Sequence, residues 1–191
     1  MRLKALCGLL ALIVTTAALL LVLTGGAAGG HGKGKGHNNS GQHGRIGYHF
    51  LVLDQIAGQS DRLLIQGDGS FNRNRASGGG TFDHFLGGTG PPATLVATGT
   101  WKAEDVVSWS PGLSHGIFEG GTLSIHATLK PVGQPAIKNV LITIYCNLGP
   151  AGFTTGHTES AEVTLPGGPM FIPTNPPTGI TIFSLNKGHK H

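Results

Sequence analysis

The chain has few charged residues, and it lacks the pattern of a helical protein. Only 12 % of its 191 residues are charged, while 33 are glycine. Glycine is costly inside a helix, and no stretch shows an apolar period of 3.6 residues with caps at its ends. The composition therefore argues against a helical protein and favours short strands joined by turns.

The excess of basic residues lies before the folded part of the chain. The formal net charge is +4. Five basic residues are N-terminal: Arg2, Lys4, Lys33, Lys35 and Arg45. From Asp54 onward eight basic residues stand against nine acidic ones. Since no stripe of Lys and Arg remains to neutralise phosphates, we do not expect nucleic acid as a partner.

Residues 1–28 have the three parts of an export signal in the expected order. Arg2 and Lys4 precede an apolar run over residues 5–23, and small residues follow at 25–28. This order predicts a cleaved signal peptide over residues 1–28 and a secreted protein, extracellular or periplasmic. The alternative is an uncleaved signal that anchors the chain in the membrane, because the run nearly spans a bilayer.

Cysteine is scarce, and removal of the signal would leave only Cys146. It alternates with Val140, Ile142 and Ile144 in a strand pattern, so we expect its thiol to be a small buried group. A nucleophilic cysteine needs an electropositive, partly exposed setting, and its sequence neighbours supply none. The remaining alternative is an intermolecular disulfide in an oxidising compartment.

The rest of the chain divides into one domain and two tails. Residues 29–48 are rich in Gly and His with little to bury, which predicts a disordered tail. Residues 187–191 form a polar C-terminal tail. Between them, residues 49–186 alternate strand-like runs with Gly and Pro turns. This organisation predicts a single all-β domain, a barrel or sandwich of about eight mostly antiparallel strands.

The strand-like runs are residues 49–56, 62–71, 81–85, 94–102, 105–110, 116–130, 138–148, 161–165 and 180–185. Asp68-Gly69 is interpreted as a turn or bulge, Pro111-Gly112 as a turn, and residues 173–177 as a break. The clearest half-buried strand lies in residues 123–130, where apolar and polar side chains alternate.

Four segments rich in glycine and aromatic residues carry a family resemblance. They are Gly67-Asp68-Gly69-Ser70-Phe71, Gly78-Gly79-Gly80-Thr81-Phe82-Asp83-His84-Phe85, Gly99-Thr100-Trp101-Lys102-Ala103 and Cys146-Asn147-Leu148-Gly149. The chain resembles, over residues 50–185, an uncharacterised family of small secreted all-β proteins from microbes and fungi. The resemblance implies no activity, because none is assigned to that family.

Histidine recurs every six residues in the N-terminal tail, at His31, His37, His43 and His49. Neutral imidazole is a good ligand for Zn, Cu and Ni, and His-rich tracts bind such metals. The tail therefore predicts uptake of a divalent metal. The alternative is a solvated linker that holds no metal.

A sharper metal site depends on where the signal is cleaved. A cut after Ala28 would leave Gly29-Gly30-His31 at the N-terminus. Its free amine, two backbone amides and imidazole would form a square-planar site suited to Cu(II) or Ni(II). This arrangement resembles the amino-terminal copper and nickel motif. The predicted metal ligands are therefore Gly29, Gly30, His31, His37 and His43.

The domain itself offers dispersed candidates for chemistry. His84, His115, His126 and His157 are separate in sequence, and whether they converge stays open. Asp83-His84 and His157-Thr158-Glu159 pair an imidazole with a carboxylate, as in a metal site or an acid–base pair. His126 lies on the polar face of its strand and is expected to be solvated.

Other catalytic and binding patterns are weak. No G-x-S-x-G motif occurs, and Asp68 is the one acidic residue with a distinctive setting, between two glycines. Trp101 and Trp109 are placed on neighbouring strands, where core packing is favoured over a carbohydrate-stacking platform. We therefore predict no catalytic residue.

Two functions follow from these patterns. The first is a secreted, non-enzymatic structural or binding protein of unknown partner, whose His-rich tail binds Cu(II), Ni(II) or Zn(II). The alternative is a small barrel that binds or converts a small apolar ligand. A filled interior would favour the first function, and an apolar cavity with convergent polar groups would favour the second.

Overall fold

The computed structural model describes residues 45–87, 93–148 and 157–186. These residues form eight strands in chain order: β1 (Arg45–Ile56), β2 (Arg62–Phe71), β3 (Ala76–Leu86), β4 (Thr94–His115), β5 (Phe118–Pro131), β6 (Ile137–Cys146), β7 (Ser160–Thr164) and β8 (Met170–Asn186). No helix in the described part of the chain could span a membrane. The predicted signal peptide and C-terminal tail lie outside the described residues.

The eight strands form one antiparallel sheet that closes into a ring. Each strand pairs with the next along the chain, and β8 returns to pair with β1. The prediction of an all-β domain of about eight antiparallel strands is confirmed. The ring is irregular at one end, because Phe118 and Glu119 of β5 also pair with Ser184 and Phe183 of β8.

Alternation along the strands fills the interior of the ring. In β5 the side chains of Leu123, Ile125, Ala127 and Leu129 are at most 3 % exposed, which confirms the predicted half-buried strand. Val140, Ile142, Ile144 and Cys146 of β6 are buried in the same way. Each large apolar side chain removed from water contributes about 1.5–3 kcal/mol, so this inward face is the main source of stability.

β4 is longer than the sequence predicts. It runs through residues 103–104, which the sequence predicts as a gap between two strands, and through Pro111-Gly112, which it predicts as a turn. The register with β5 shifts between Ala103 and Val106 and again between Pro111 and Ser114. These bulges absorb the extra residues without ending the strand. The predicted turn is therefore wrong, and Trp101 and Trp109 lie on the same strand.

Three other features also differ from the prediction. β1 begins at Arg45 rather than residue 49, because the residues around the buried Tyr48 pair with both β2 and β8. Asp68-Gly69 keeps an unbroken register inside β2 and makes no turn. The predicted break at residues 173–177 falls inside β8 as a bulge, since Pro173 pairs with Asp54 and Thr178 with Leu53.

The ring has two distinct ends. The hairpin end carries the β2–β3 turn, the start of β1 and the β4–β5 hairpin. The opposite end carries the β1–β2, β5–β6 and β7–β8 connections. A layer of buried side chains that includes Phe50, Ile65 and Ile125 fills the interior between the two ends.

Candidate ligand-binding site

A cavity of about 470 Å³ opens at the hairpin end. Five of its lining residues are apolar and three are polar: Ile46, Phe71, Trp109, Pro111 and Leu185, with Asn72, Arg73 and Glu119. They come from the start of β1, the end of β2 and the turn after it, the β4–β5 hairpin and the end of β8. We call this space the hairpin-end cavity.

Aromatic rings form the floor of the hairpin-end cavity. The Trp109 ring lies 4.9 Å from Phe71 and 5.1 Å from Phe183, both in edge-to-face geometry. Phe71 and Phe183 also contact each other edge to face, at 6.0 Å. Edge-to-face contacts stabilise each ring's orientation. Trp109 therefore presents a fixed apolar surface to the cavity, and it is partly exposed.

The polar residues of the cavity differ in how they are already engaged. Glu119 accepts a hydrogen bond of 2.6 Å from the Ser114 hydroxyl. The Asn72 Oδ1 accepts bonds from the backbone N–H groups of Asn74 and Arg75, which hold the β2–β3 turn. Arg73 makes no hydrogen bond or ion pair with the described residues, so its guanidinium is the group left available at the cavity.

Comparison of the chain with protein-family models, with curated proteins and with solved structures gives no match. The site must therefore be interpreted from its own chemistry. The resemblance to an uncharacterised secreted family stays a prediction.

A smaller pocket of about 180 Å³ lies at the opposite end of the ring. Its walls are Ile56, Leu63, Phe82, Ala97, Leu129, Pro131, Ile137, Leu165, Pro169 and Phe171, and its polar residues are Asp61, His84 and Gln134. We call it the His84 pocket. The His84 Nε2 lies 3.4 Å from Asp61 Oδ2, and the imidazole contacts Phe171 edge to face at 5.5 Å.

The partner of His84 differs from the one the sequence suggests. Successive side chains of a strand point to opposite faces, so Asp83 does not pair with His84, and Asp61 of the β1–β2 turn does. The contact is close but poorly oriented. Nε2 is buried, and within the described chain it has no hydrogen-bond partner of good geometry.

Asp54 is a buried carboxyl that sequence reasoning did not distinguish. Its residue is 0 % exposed, and neither oxygen has a hydrogen-bond partner among the described residues. Burial, with a smaller effect from the Glu162 carboxylate, raises the pKa of Asp54 from 3.8 to about 8. Asp54 continues the inward alternation of Tyr48, Phe50 and Val52. This pattern in the sequence predicts that the side chain of residue 54 is buried.

The four dispersed histidines do not converge. His126 Nδ1 lies 3.1 Å from Asp105 Oδ2 on the outer face of the sheet. His157 stacks on Tyr145 at 4.3 Å, and His115 is exposed at the tip of the hairpin. Across the described ranges no three His, Cys, Asp or Glu residues form a metal-binding group.

Several predicted partners are placed differently or not placed. Glu159 does not pair with His157 as suggested, and its carboxylate accepts a 2.7 Å bond from the Thr181 backbone N–H. Asp68 is exposed on β2. The predicted metal ligands lie outside the described residues, so metal binding by the tail stays a prediction: Gly29, Gly30, His31, His37 and His43.

Cys146 is buried and free, as the sequence predicts. It is 2 % exposed, and its thiol donates to the Thr181 carbonyl at 3.4 Å. Burial raises the pKa of the Cys146 thiol. The thiolate is the reactive form. Burial therefore lowers the reactivity of the thiol in two ways: reagents cannot reach it, and it stays protonated.

We therefore expect Cys146 to react slowly in the folded protein. In a chain carrying Cys7→Ser, the thiol should react with Ellman's reagent at pH 8 at least about 100-fold more slowly than in urea. Absorbance at the nitrothiobenzoate band follows the reaction. Equal rates in the folded and denatured chain would contradict the buried placement.

Proposed function

We propose that this protein binds one small organic ligand in the hairpin-end cavity, and that the ligand has an aromatic or apolar body and a carboxylate group. The observation that carries the proposal is the cavity of about 470 Å³ above the Trp109 and Phe71 rings. The sequence left this function as the alternative to a structural role. Packed side chains fill the middle of the ring, as expected for a structural role, whereas the apolar cavity with polar groups at one end favours a ligand.

The size and lining of the cavity support a drug-sized ligand. Binding sites for small molecules have volumes of roughly 300–1,000 Å³ and mostly apolar walls with a few polar groups. The hairpin-end cavity falls in that range, with five apolar and three polar lining residues. The partly exposed Trp109 suits a flat ring, because an offset or edge-to-face partner completes its contacts. Phe71 is 1 % exposed and supports the Trp109 ring from within the core.

The charge of the cavity favours an anionic group on the ligand. Glu119 already accepts a bond from Ser114, whereas Arg73 has no ionic partner among the described residues. A guanidinium can hold a carboxylate through two parallel hydrogen bonds. The carboxylate would then lie at the rim and the apolar body on the aromatic floor. With an export signal, the ligand would be met outside the cytoplasm.

Naphthalene-2-carboxylate is a suitable probe for this site. We expect saturable binding of one equivalent by isothermal titration calorimetry on the secreted protein. Trp109→Leu should weaken binding at least about tenfold, because the fused rings lose their aromatic contact. Arg73→Gln should weaken it roughly three- to tenfold, because an exposed charged hydrogen bond is lost.

Two controls make the result specific. Arg75→Gln changes an arginine in the same turn that does not line the cavity, so affinity should stay within about twofold. The neutral probe 2-methylnaphthalene should bind with the same affinity to the parent and to Arg73→Gln. Unchanged affinity for the carboxylate probe in Trp109→Leu would contradict the proposed site.

A further inference from the structure

We propose that the His84 pocket is a second binding site, for a single aromatic ring that carries a hydroxyl group, as phenol does. It lies at the opposite end of the ring from the hairpin-end cavity and shares no lining residue with it. The inference therefore stands or falls separately from the proposed function.

The volume of the His84 pocket fits one substituted ring. An apolar cavity of about 150 Å³ in a protein interior accommodates benzene. The His84 pocket holds about 180 Å³, which leaves room for one ring and one small substituent. It is too small for the fused-ring ligand of the other end, since sites for drug-sized molecules begin at roughly 300 Å³.

The walls of the pocket are suited to the ring itself. Leu63, Phe82, Leu129 and Phe171 are each at most 4 % exposed and come from four different strands. Binding of an apolar ring against these walls is favourable, because the ring is transferred from water to an apolar environment. The Phe171 ring already makes an edge-to-face contact with the His84 imidazole, and this contact fixes the direction in which the imidazole faces.

The polar corner of the pocket calls for a hydroxyl. His84 Nε2 is buried without a well-oriented partner, although Asp61 Oδ2 is 3.4 Å away. A buried nitrogen without a hydrogen bond is costly. A hydroxyl beside this pair can accept from an Nε2–H and donate to the Asp61 carboxylate, which satisfies both groups at once. A methyl group in the same place satisfies neither.

The same corner does not suit a metal ion. Asp61 and His84 are the two groups of metal-ligand type in the pocket, and no cluster of three such residues occurs in the described ranges. Gln134 adds an amide at the pocket wall, which can bond to a polar substituent. The chemistry of the corner is therefore hydrogen bonding to a neutral hydroxyl.

Phenol and toluene form a matched pair for testing this site, because they differ only by a hydroxyl in place of a methyl group. Imidazole carbon–proton correlation spectra of the full secreted chain would be recorded during titration with each. We expect a saturable shift of the His84 signal with phenol and an apparent affinity for toluene at least fivefold weaker. His126 serves as the internal control, since its pair with Asp105 is exposed.

Variants extend the test to the polar corner. Asp61→Ala should remove the preference for phenol over toluene at the His84 signal, and His126→Leu should keep it. An excess of naphthalene-2-carboxylate should leave the phenol-induced shift of His84 unchanged. The proposal is overturned if phenol produces no saturable shift of His84 in the unmodified chain, or if toluene binds as tightly. Neither result depends on how well a variant folds.

Discussion

Gly67→Ala should destabilise the protein by about 3 kcal/mol or more, the upper range for overpacking a core. Gly67 lies on the inward face of β2, in line with Ile65 and Phe71. A Cβ there would lie 2.3 Å from the Trp101 ring and 2.5 Å from the Gly79 carbonyl oxygen. The indole cannot move away freely, because its N–H donates to the Gln66 carbonyl at 2.9 Å.

Thermal unfolding followed by circular dichroism would measure the effect as a fall in Tm of roughly 10 °C. Gly168→Ala is the matched control, since its Cβ would lie 3.2 Å from the Leu165 Cβ and 3.8 Å from the nearest backbone oxygen, without a severe clash. It should change Tm by no more than a few degrees. In the double variant Gly67→Ala/Trp101→Phe, the loss should be smaller than the sum of the single losses, because the ring atoms that clash are gone. Additive losses would show that the indole is not the obstacle.

Asp54 should make the protein less stable as the pH rises from about 4 to 8. The pKa of this carboxyl is about 8 in the folded chain and 3.8 as the ordinary value. Between these values the unfolded chain releases a proton that the folded chain keeps. The stability from Asp54 is therefore fully present below about pH 4 and is lost on the way to pH 8, at up to about 1.4 kcal/mol per pH unit.

Urea unfolding at several pH values between 5 and 8 would measure this slope. Asp54→Asn should remove most of this slope. Its free energy of unfolding, measured relative to that of the parent chain, should rise by several kcal/mol between pH 5 and pH 8. Glu162→Gln should keep the slope and lower the pH at which it ends, because that carboxylate is the smaller cause of the raised pKa. Asp68→Asn changes an exposed carboxyl of β2 and should leave the slope unchanged. A slope that persists in Asp54→Asn would mean another group is responsible.

Most of the fold could be predicted because one face of the central strands is buried. The alternation in residues 123–130 fixes the inward face of β5, and the same pattern fixes β6. The errors fall where local signals compete with pairing between distant strands. Pro111-Gly112 has the sequence of a turn, but β4 continues through it because the hairpin reaches across to pair with β8. The pairing of β5 with β8 joins residues that are distant in sequence, so it cannot be predicted from the residues around Pro111.

The candidate sites could be predicted far less well. The hairpin-end cavity gathers residues from the start of β1, the end of β2 and the turn after it, the β4–β5 hairpin and the end of β8, so it exists only once the ring closes. Asp61 and His84 meet because the register of β2 and β3 brings Arg62 opposite Phe85, a relation that depends on every intervening pairing. The burial of Asp54, in contrast, could have been predicted from its place in the alternation of β1.

The Trp101 indole, which lies over Gly67, also helps to separate the cavities at the two ends of the ring. Trp101 contacts Phe50 at 5.6 Å, and neither residue lines a cavity at either end. Like Ile65 and Ile125, they are buried in the interior of the ring. Within the described strands, buried side chains therefore lie between the hairpin-end cavity and the His84 pocket. Ligands in the two sites would then not exclude each other, and each would add to the free energy of unfolding of the same domain.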